Sequence, residues 1–196
     1  MKKILISAYS LDVGGIETAL ITLIKKIHLD FDVTISLEKK EGIFLKNLPD
    51  DVKIITYKPN NCKIKLVRKM INFIKQQLFK LKYKNKFDFS ACYATYSLSA
   101  SFIARNASKN NCLWVHNDYM SFYENDEKKY KNFFKEIKVE EFKKIVFVSE
   151  HDKNVFIKKF ENLANRCVYC NNLIDYRKIE KMAEEDVQDF KKDDII

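Results

Sequence analysis

Short apolar runs, many of them β-branched, alternate along this chain with segments whose apolar residues recur at helical spacing. Residues 4–6, 33–37, 52–56, 89–93, 112–115, 145–148 and 167–169 have the strand pattern. Residues 16–28, 64–83, 97–107, 127–143, 149–160 and 176–184 have the helix pattern. Strands alternating with helices predict βαβ units. The fold class expected is α/β: a Rossmann-like parallel sheet of about seven strands with helices on both faces. Three glycines and two prolines are too few for an all-β chain with many tight turns. In such sheets ligands bind beyond the carboxyl ends of the strands. Residues 7–15, 93–97, 116–120, 149–150 and 171–175 follow strands, and they are the small and polar clusters of the chain.

Hydrophobic residues make up 46% of the sequence, enough for a packed core. No apolar run approaches the roughly 20 residues of a membrane span. The start, MKKILISAYS, has the charge of a signal peptide, but its apolar run breaks at Ser7. It reads as the first buried strand of a cytosolic protein. Five cysteines in such a chain are expected to be reduced thiols. Cys167 and Cys170 form a C-x-x-C with no second pair and no nearby His, so they read as two thiols near a strand end. Asp30-Phe31-Asp32 mimics a metal-binding D-x-D, yet it precedes a strand, where Asp commonly makes turns. No metal site is expected.

The charge is concentrated. Lys63, Lys65, Arg68, Lys69, Lys75, Lys80, Lys82, Lys84 and Lys86 fall within residues 63–86, which hold no acidic residue. The chain has 36 basic and 27 acidic residues, a formal +9, so everything outside that segment is balanced. Within the helix expected over 64–83, Val67, Met70, Ile71, Ile74, Leu78 and Leu81 form a 3.6-period stripe that would bury against the sheet. Leu66, Phe73 and Phe79 fall off it, among lysines. Bulky apolar groups interleaved with lysine suit an anionic bilayer surface, and equally a solvated face whose lysines cover apolar area. The balanced remainder argues against nucleic acid.

The first strand leads through Ser7–Glu17 into a helix by way of two adjacent glycines, Gly14 and Gly15. Strand, glycine turn and helix present amide groups to an anion, though the same residues also make a plain structural turn. Adjacent glycines do not fit G-x-G-x-x-G, and no G-K-[ST] follows. His116, with Asn117 and Asp118, ends the fifth strand and faces the expected cleft. It suits orienting a hydroxyl, donating to a phosphate or moving a proton, or a purely structural role. His28 and His151 read as surface residues at helix ends, and Ser149 reads as a helix cap supported by Asp152.

Taken together, the residues after the strands resemble the N-terminal half of a GT-B glycosyltransferase. They are similar to the large retaining family 4 (glycosyltransferase group 1 type), which includes capsule, teichoic-acid and lipopolysaccharide enzymes. Gly14-Gly15-Ile16-Glu17 resembles its G-G-x-E loop, Trp114–Asp118 its W-x-H-N-D stretch, Val148-Ser149-Glu150 with Phe156 its V-S-E helix start, and Asn171–Asp175 its N-G-[VI]-D element. Asn172 stands where that element usually has Gly. The family's second domain, with its E-x7-E motif, has no counterpart here. Residues 1–190 are expected to be the N-terminal domain and 191–196 the start of a linker or of the missing domain.

The resemblance implies transfer of a hexose from a nucleotide-diphosphate sugar, such as a UDP-sugar, with retention and without metal. The acceptor implied is a glycan, lipid-linked, in cell-surface polysaccharide synthesis. Gly14, Gly15 and Ile16 would meet the donor diphosphate and His116 would lie at the reaction centre. Asp12, Glu17, Asn117, Asp118, Ser149 and Glu150 would orient the acceptor or His116. Asn172 and Asp175 would line the interdomain cleft, and the fragment alone would be inactive. Lys65, Arg68, Lys69, Phe73, Phe79, Lys80 and Lys84 would face the inner surface of the cell membrane, making a cytoplasmic, peripheral protein. The partners implied are thus the nucleotide sugar, the acceptor, an anionic membrane and the C-terminal domain, with no cofactor and no nucleic acid. The alternative is a non-enzymatic membrane-surface or nucleotide-binding module on a Rossmann-like fold.

Overall fold

The computed structural model describes residues 1–185. The expected boundary at 190–191 lies outside them. Strand β1 (Lys2–Ala8) leads to helix α1 (Gly15–Ile27), then β2 (Phe31–Leu37) and β3 (Lys53–Thr56). Helix α2 (Lys65–Tyr83), β4 (Phe89–Cys92), α3 (Leu98–Ala107) and β5 (Asn111–Val115) follow. A one-turn α4 (Tyr119–Phe122), α5 (Glu127–Glu136), β6 (Lys144–Phe147), α6 (Glu150–Lys159), β7 (Cys167–Tyr169) and α7 (Tyr176–Ala183) complete it. The seven strands form one sheet in the order β3-β2-β1-β4-β5-β6-β7, and every pairing is parallel.

The sheet matches the expected fold class, and each predicted strand is present. One helix is shorter than its pattern suggested. The segment expected over 127–143 ends at Glu136, Lys138 takes a left-handed conformation, and a 3₁₀ turn at Val139–Glu141 returns the chain to the sheet. Asp32, in the D-x-D, accepts an ion pair from Lys53 at 2.8 Å across β2 and β3. None of the helices among the described residues is long and apolar enough to cross a membrane.

Alternation along the strands splits the core between two faces. Leu5 packs with Phe79, Phe102 and Ile103 of α2 and α3, whereas Ile6, Val33 and Ile35 pack with Leu20 and Ile24 of α1. Phe134, Phe147 and Phe156 anchor a third cluster under α5 and α6. Helix α3 sits close to the sheet because both surfaces are small. Ser7 Oγ donates to the Ala100 carbonyl at 2.7 Å, and Ser90 Oγ to that of Ala104 at 2.6 Å. These hydroxyls satisfy themselves on helix carbonyls, so burying them leaves no orphan group.

The largest departure concerns α2. Most of the stripe expected to bury is instead turned outward: Met70, Ile74, Leu78 and Leu81 are exposed, while Val67 and Ile71 are half-buried. Phe79, expected at a membrane, is 6% exposed and lies in the core. Its ring meets Tyr57 at 5.6 Å, Phe102 at 5.7 Å and Tyr83 at 5.2 Å. Asn72 fixes the same rotation by accepting from the Asn60 amide at 2.6 Å and donating back to its carbonyl at 3.1 Å. Aromatic packing and a satisfied loop therefore outweigh the longer aliphatic stripe.

Candidate functional site

Strand order reverses between β1 and β4, because β2 leaves β1 on one side and β4 lies on the other. The loops after these two strands open the crevice where ligands of doubly wound sheets bind. Residues 9–14 and 93–97 are those loops.

The first loop is braced from below. Leu11 donates its amide to the Glu41 carbonyl at 3.0 Å and accepts from the Phe44 amide at 3.0 Å. Gly42 lies against it with φ +119, and a Cβ there would fall 2.0 Å from the Leu11 carbonyl carbon. Asp12 accepts from Ser10 Oγ at 2.7 Å. Gly14 caps α1 in extended backbone with no side-chain hydrogen bond. Glu17 folds back over it, so that a Cβ on Gly14 would fall 2.2 Å from Glu17 Oε2. A Cβ on Gly15 would meet nothing within 4 Å. Helices α3, α4, α5 and α6 all begin with a side-chain cap, from Ser97, Asp118, Asp126 and Ser149. Helix α1 opens toward the crevice with its first amides, including those of Gly15 and Ile16, uncapped. That end carries the positive pole of the helix dipole.

His116 follows β5 and is flanked by aromatic rings, Tyr93 at 4.3 Å and Trp114 stacked at 6.2 Å. Burial pushes its pKa down to about 4, so the imidazole is neutral at pH 7. Both ring nitrogens are buried and neither makes a hydrogen bond among the described residues. A buried donor and acceptor without partners favour a ligand that supplies them.

Asp118 makes no hydrogen bond to His116 among the described residues. Its Oδ1 accepts from the Met120 and Ser121 amides, both at 3.0 Å, and its carboxylate also accepts from Ser121 Oγ. Those bonds hold its carboxyl below the usual range. It is the cap of α4, a helix too short for periodicity to disclose. Asn117 is exposed beside His116. Ser149 accepts from the Asp152 amide at 3.3 Å as the cap of α6, and Glu150 pairs with Lys153 at 3.4 Å. Both are explained locally.

Asn172 and Asp175 line a groove of about 580 Å³ together with Gly15, Thr18 and Phe44. Tyr93 Oη lies 3.5 Å from Asn172 Oδ1. The structure thus links the glycine loop to Asn172, Asn172 to Tyr93, and Tyr93 to His116. Gly42 and Glu38 lie outside the stretches expected to meet a ligand, and Tyr93 is the first residue of one of them, 93–97. Glu38, at the end of β2, accepts from Ser97 Oγ at 2.9 Å and from Ser99 Oγ at the start of α3. Glu38 could have been found from its position directly after the second strand. The scarcity of glycine, three in the chain, is the signal that marks Gly42.

On α2, the expected membrane-facing residues separate. Lys65, Arg68, Lys69, Phe73 and Lys84 are exposed, Phe79 is buried, and Lys80 reaches back to 5.8 Å from the Phe102 ring.

No protein-family model matches the chain, and no curated protein sequence does. Solved structures do. Anabaena HepE in complex with UDP and glucose matches with a TM-score of 0.58 and 15% identity, over 94% of this chain and 50% of that one. HepE with UDP-glucose matches with a TM-score of 0.58 and 17% identity over 93% and 50%, and HepE with UDP at 0.54 and 18% over the same shares. The chain spans about half the length of the solved structures it matches, and its fold is that of one half of HepE.

Proposed function

We propose that this chain is the acceptor-side half of a retaining GT-B glycosyltransferase of the family 4 type. The whole enzyme transfers a hexose from a nucleotide-diphosphate sugar to a hydroxyl of a lipid-linked glycan in cell-surface polysaccharide synthesis. Gly15 carries the reading. Its missing side chain has no reason inside the chain, since a Cβ there touches nothing and its φ is not left-handed. A side chain at this uncapped helix end would instead hold a phosphate away from the amides. The HepE complexes with UDP and UDP-glucose support a diphosphate donor for a domain of this fold.

In the reaction the bond from the anomeric carbon to the diphosphate oxygen breaks. A bond from that carbon to the acceptor oxygen forms, and the hydroxyl proton is released. Negative charge grows on the leaving diphosphate. The amides of Gly14, Gly15 and Ile16 meet it already oriented, which stabilises the transition state without reorganisation. This reading assigns that charge to amides rather than to a metal ion. Neutral His116 offers one N–H and one acceptor nitrogen to sugar hydroxyls. A second domain completes the nucleotide site across the groove at Asn172.

In the complete enzyme, Gly15→Val and His116→Ala should each abolish transfer while circular dichroism stays unchanged. Wild-type turnover in both would overturn the site. Turnover by these 196 residues alone, at the rate of the complete enzyme, would overturn the half-enzyme reading.

A further inference from the structure

Helix α2 carries its most apolar face away from the protein. Leu66, Met70, Phe73, Ile74, Leu78 and Leu81 repeat at three- and four-residue spacing and all are exposed, Leu66 by 79% and Leu81 by 80%. From Leu66 to Leu81 the stripe runs about 23 Å along the helix. Such a continuous exposed apolar face marks a surface that something else covers. The opposite face, with Asn72, Phe79 and Tyr83, is already occupied by the core.

The charges beside the stripe select the occupant. Lys69 and Lys84 flank it, and residues 63–86 hold nine basic residues and no acidic one. A second copy of the chain would bring two such lysine rows together, which is repulsive. Nucleic acid would match the lysines and leave the aliphatic stripe in water. An exposed 19-residue helix with an apolar face and neighbouring lysines fits the plane of a bilayer whose headgroups are anionic.

We infer that α2 docks the protein on an anionic lipid bilayer, with Leu66, Phe73, Leu78 and Leu81 inserted among the acyl chains and the lysines at the headgroups. The interaction needs no nucleotide, so it stands or falls apart from the donor reading. The geometry also has a consequence for the crevice. In a parallel sheet the helix after β3 starts at the carboxyl edge, so the first turn of α2 lies on the same edge as the crevice. Docking would hold that edge close to lipid-borne hydroxyls.

Vesicle flotation of the full chain tests the inference, using phosphatidylcholine alone and phosphatidylcholine with about 30 mol% phosphatidylglycerol. Partitioning should be at least about tenfold stronger on the anionic vesicles and weaken as salt rises from about 0.1 to 0.5 M. Leu66→Ser/Phe73→Ser/Leu78→Ser should lower it by at least about tenfold. Lys65→Glu/Lys69→Glu/Lys84→Glu should do the same. All six positions are exposed, so circular dichroism and thermal melting should match the wild type. Leu29→Ser, an exposed apolar residue after α1, should bind as wild type. Equal binding to both vesicles, or full binding by the serine variant, would overturn the inference. So would sedimentation as a dimer that Phe73→Ser dissolves, or binding to a single-stranded oligonucleotide tighter than to anionic vesicles.

Discussion

The Cα of Gly42 lies so close to Leu11 that a side chain would put Cβ 2.0 Å from one backbone atom and 2.1 Å from another. Its φ of +119 is also one that L residues rarely adopt. Gly42→Ala therefore meets two penalties, a strained backbone and a clash with main chain that cannot rotate away. A loss of about 2–4 kcal/mol is expected in urea unfolding. Gly15→Ala, with open space and a helical position, should stay within about 0.5 kcal/mol of wild type. Equal losses in the two variants would show that the loop is not braced as described.

His116 predicts a pH dependence of stability. Its pKa falls from 6.5 to about 4 on burial. Between those values the unfolded chain binds a proton that the folded chain does not. Stability is therefore full above pH 6.5 and is lost as pH falls toward 4, by roughly 3 kcal/mol from this residue. His116→Gln removes the titration. Urea unfolding at pH 7.5 and at pH 4 should show the wild type losing more stability than the variant, other acidic groups contributing equally to both. Identical losses would mean that the imidazole is solvated.

Helix α2 predicts opposite costs for two phenylalanines six residues apart. Phe79 is in the core, and Phe79→Ala should cost about 3–5 kcal/mol. Phe73 is 60% exposed, and Phe73→Ala should change stability by no more than about 0.5 kcal/mol. Thermal melts of the two variants check the rotation of the helix. A large loss from Phe73→Ala would put the aliphatic stripe inside.

That rotation also marks where the sequence stops being legible. Strands and helices were readable because buried parallel strands must be continuously apolar and their crossover helices amphipathic. Gly14, Gly15 and His116 were readable as well, since each follows a strand. Hydrophobic periodicity gives an axis and a stripe, but not which side meets the protein when both sides are apolar. In α2 the outer side is aliphatic and the inner side is aromatic and amide, so the longer stripe pointed the wrong way. Tyr93 was readable by position, at the head of the stretch after the fourth strand, but its contact was not. Its ring contact with His116 is made across two strands and exists only once β4 and β5 are paired. The capping role of Asp118 was not legible, because the four-residue helix it caps leaves no pattern.

The capping roles of Asp118 and Ser149 make a prediction that separates structure from chemistry. Each side chain is engaged by amides of the helix it precedes, at 3.0 Å for Asp118 and 3.3 Å for Ser149. Asp118→Ala and Ser149→Ala should each cost about 0.5–2 kcal/mol of stability. Asp118→Asn and Ser149→Thr keep an oxygen acceptor in place and should recover most of that loss. Any ligand that binds near His116 should lose affinity in the alanine variants only as far as the fold loosens, and regain it in the conservative ones. If Asp118→Asn restored stability yet still abolished ligand binding in calorimetry, the carboxylate would be acting on the ligand itself, and capping would not be its main role.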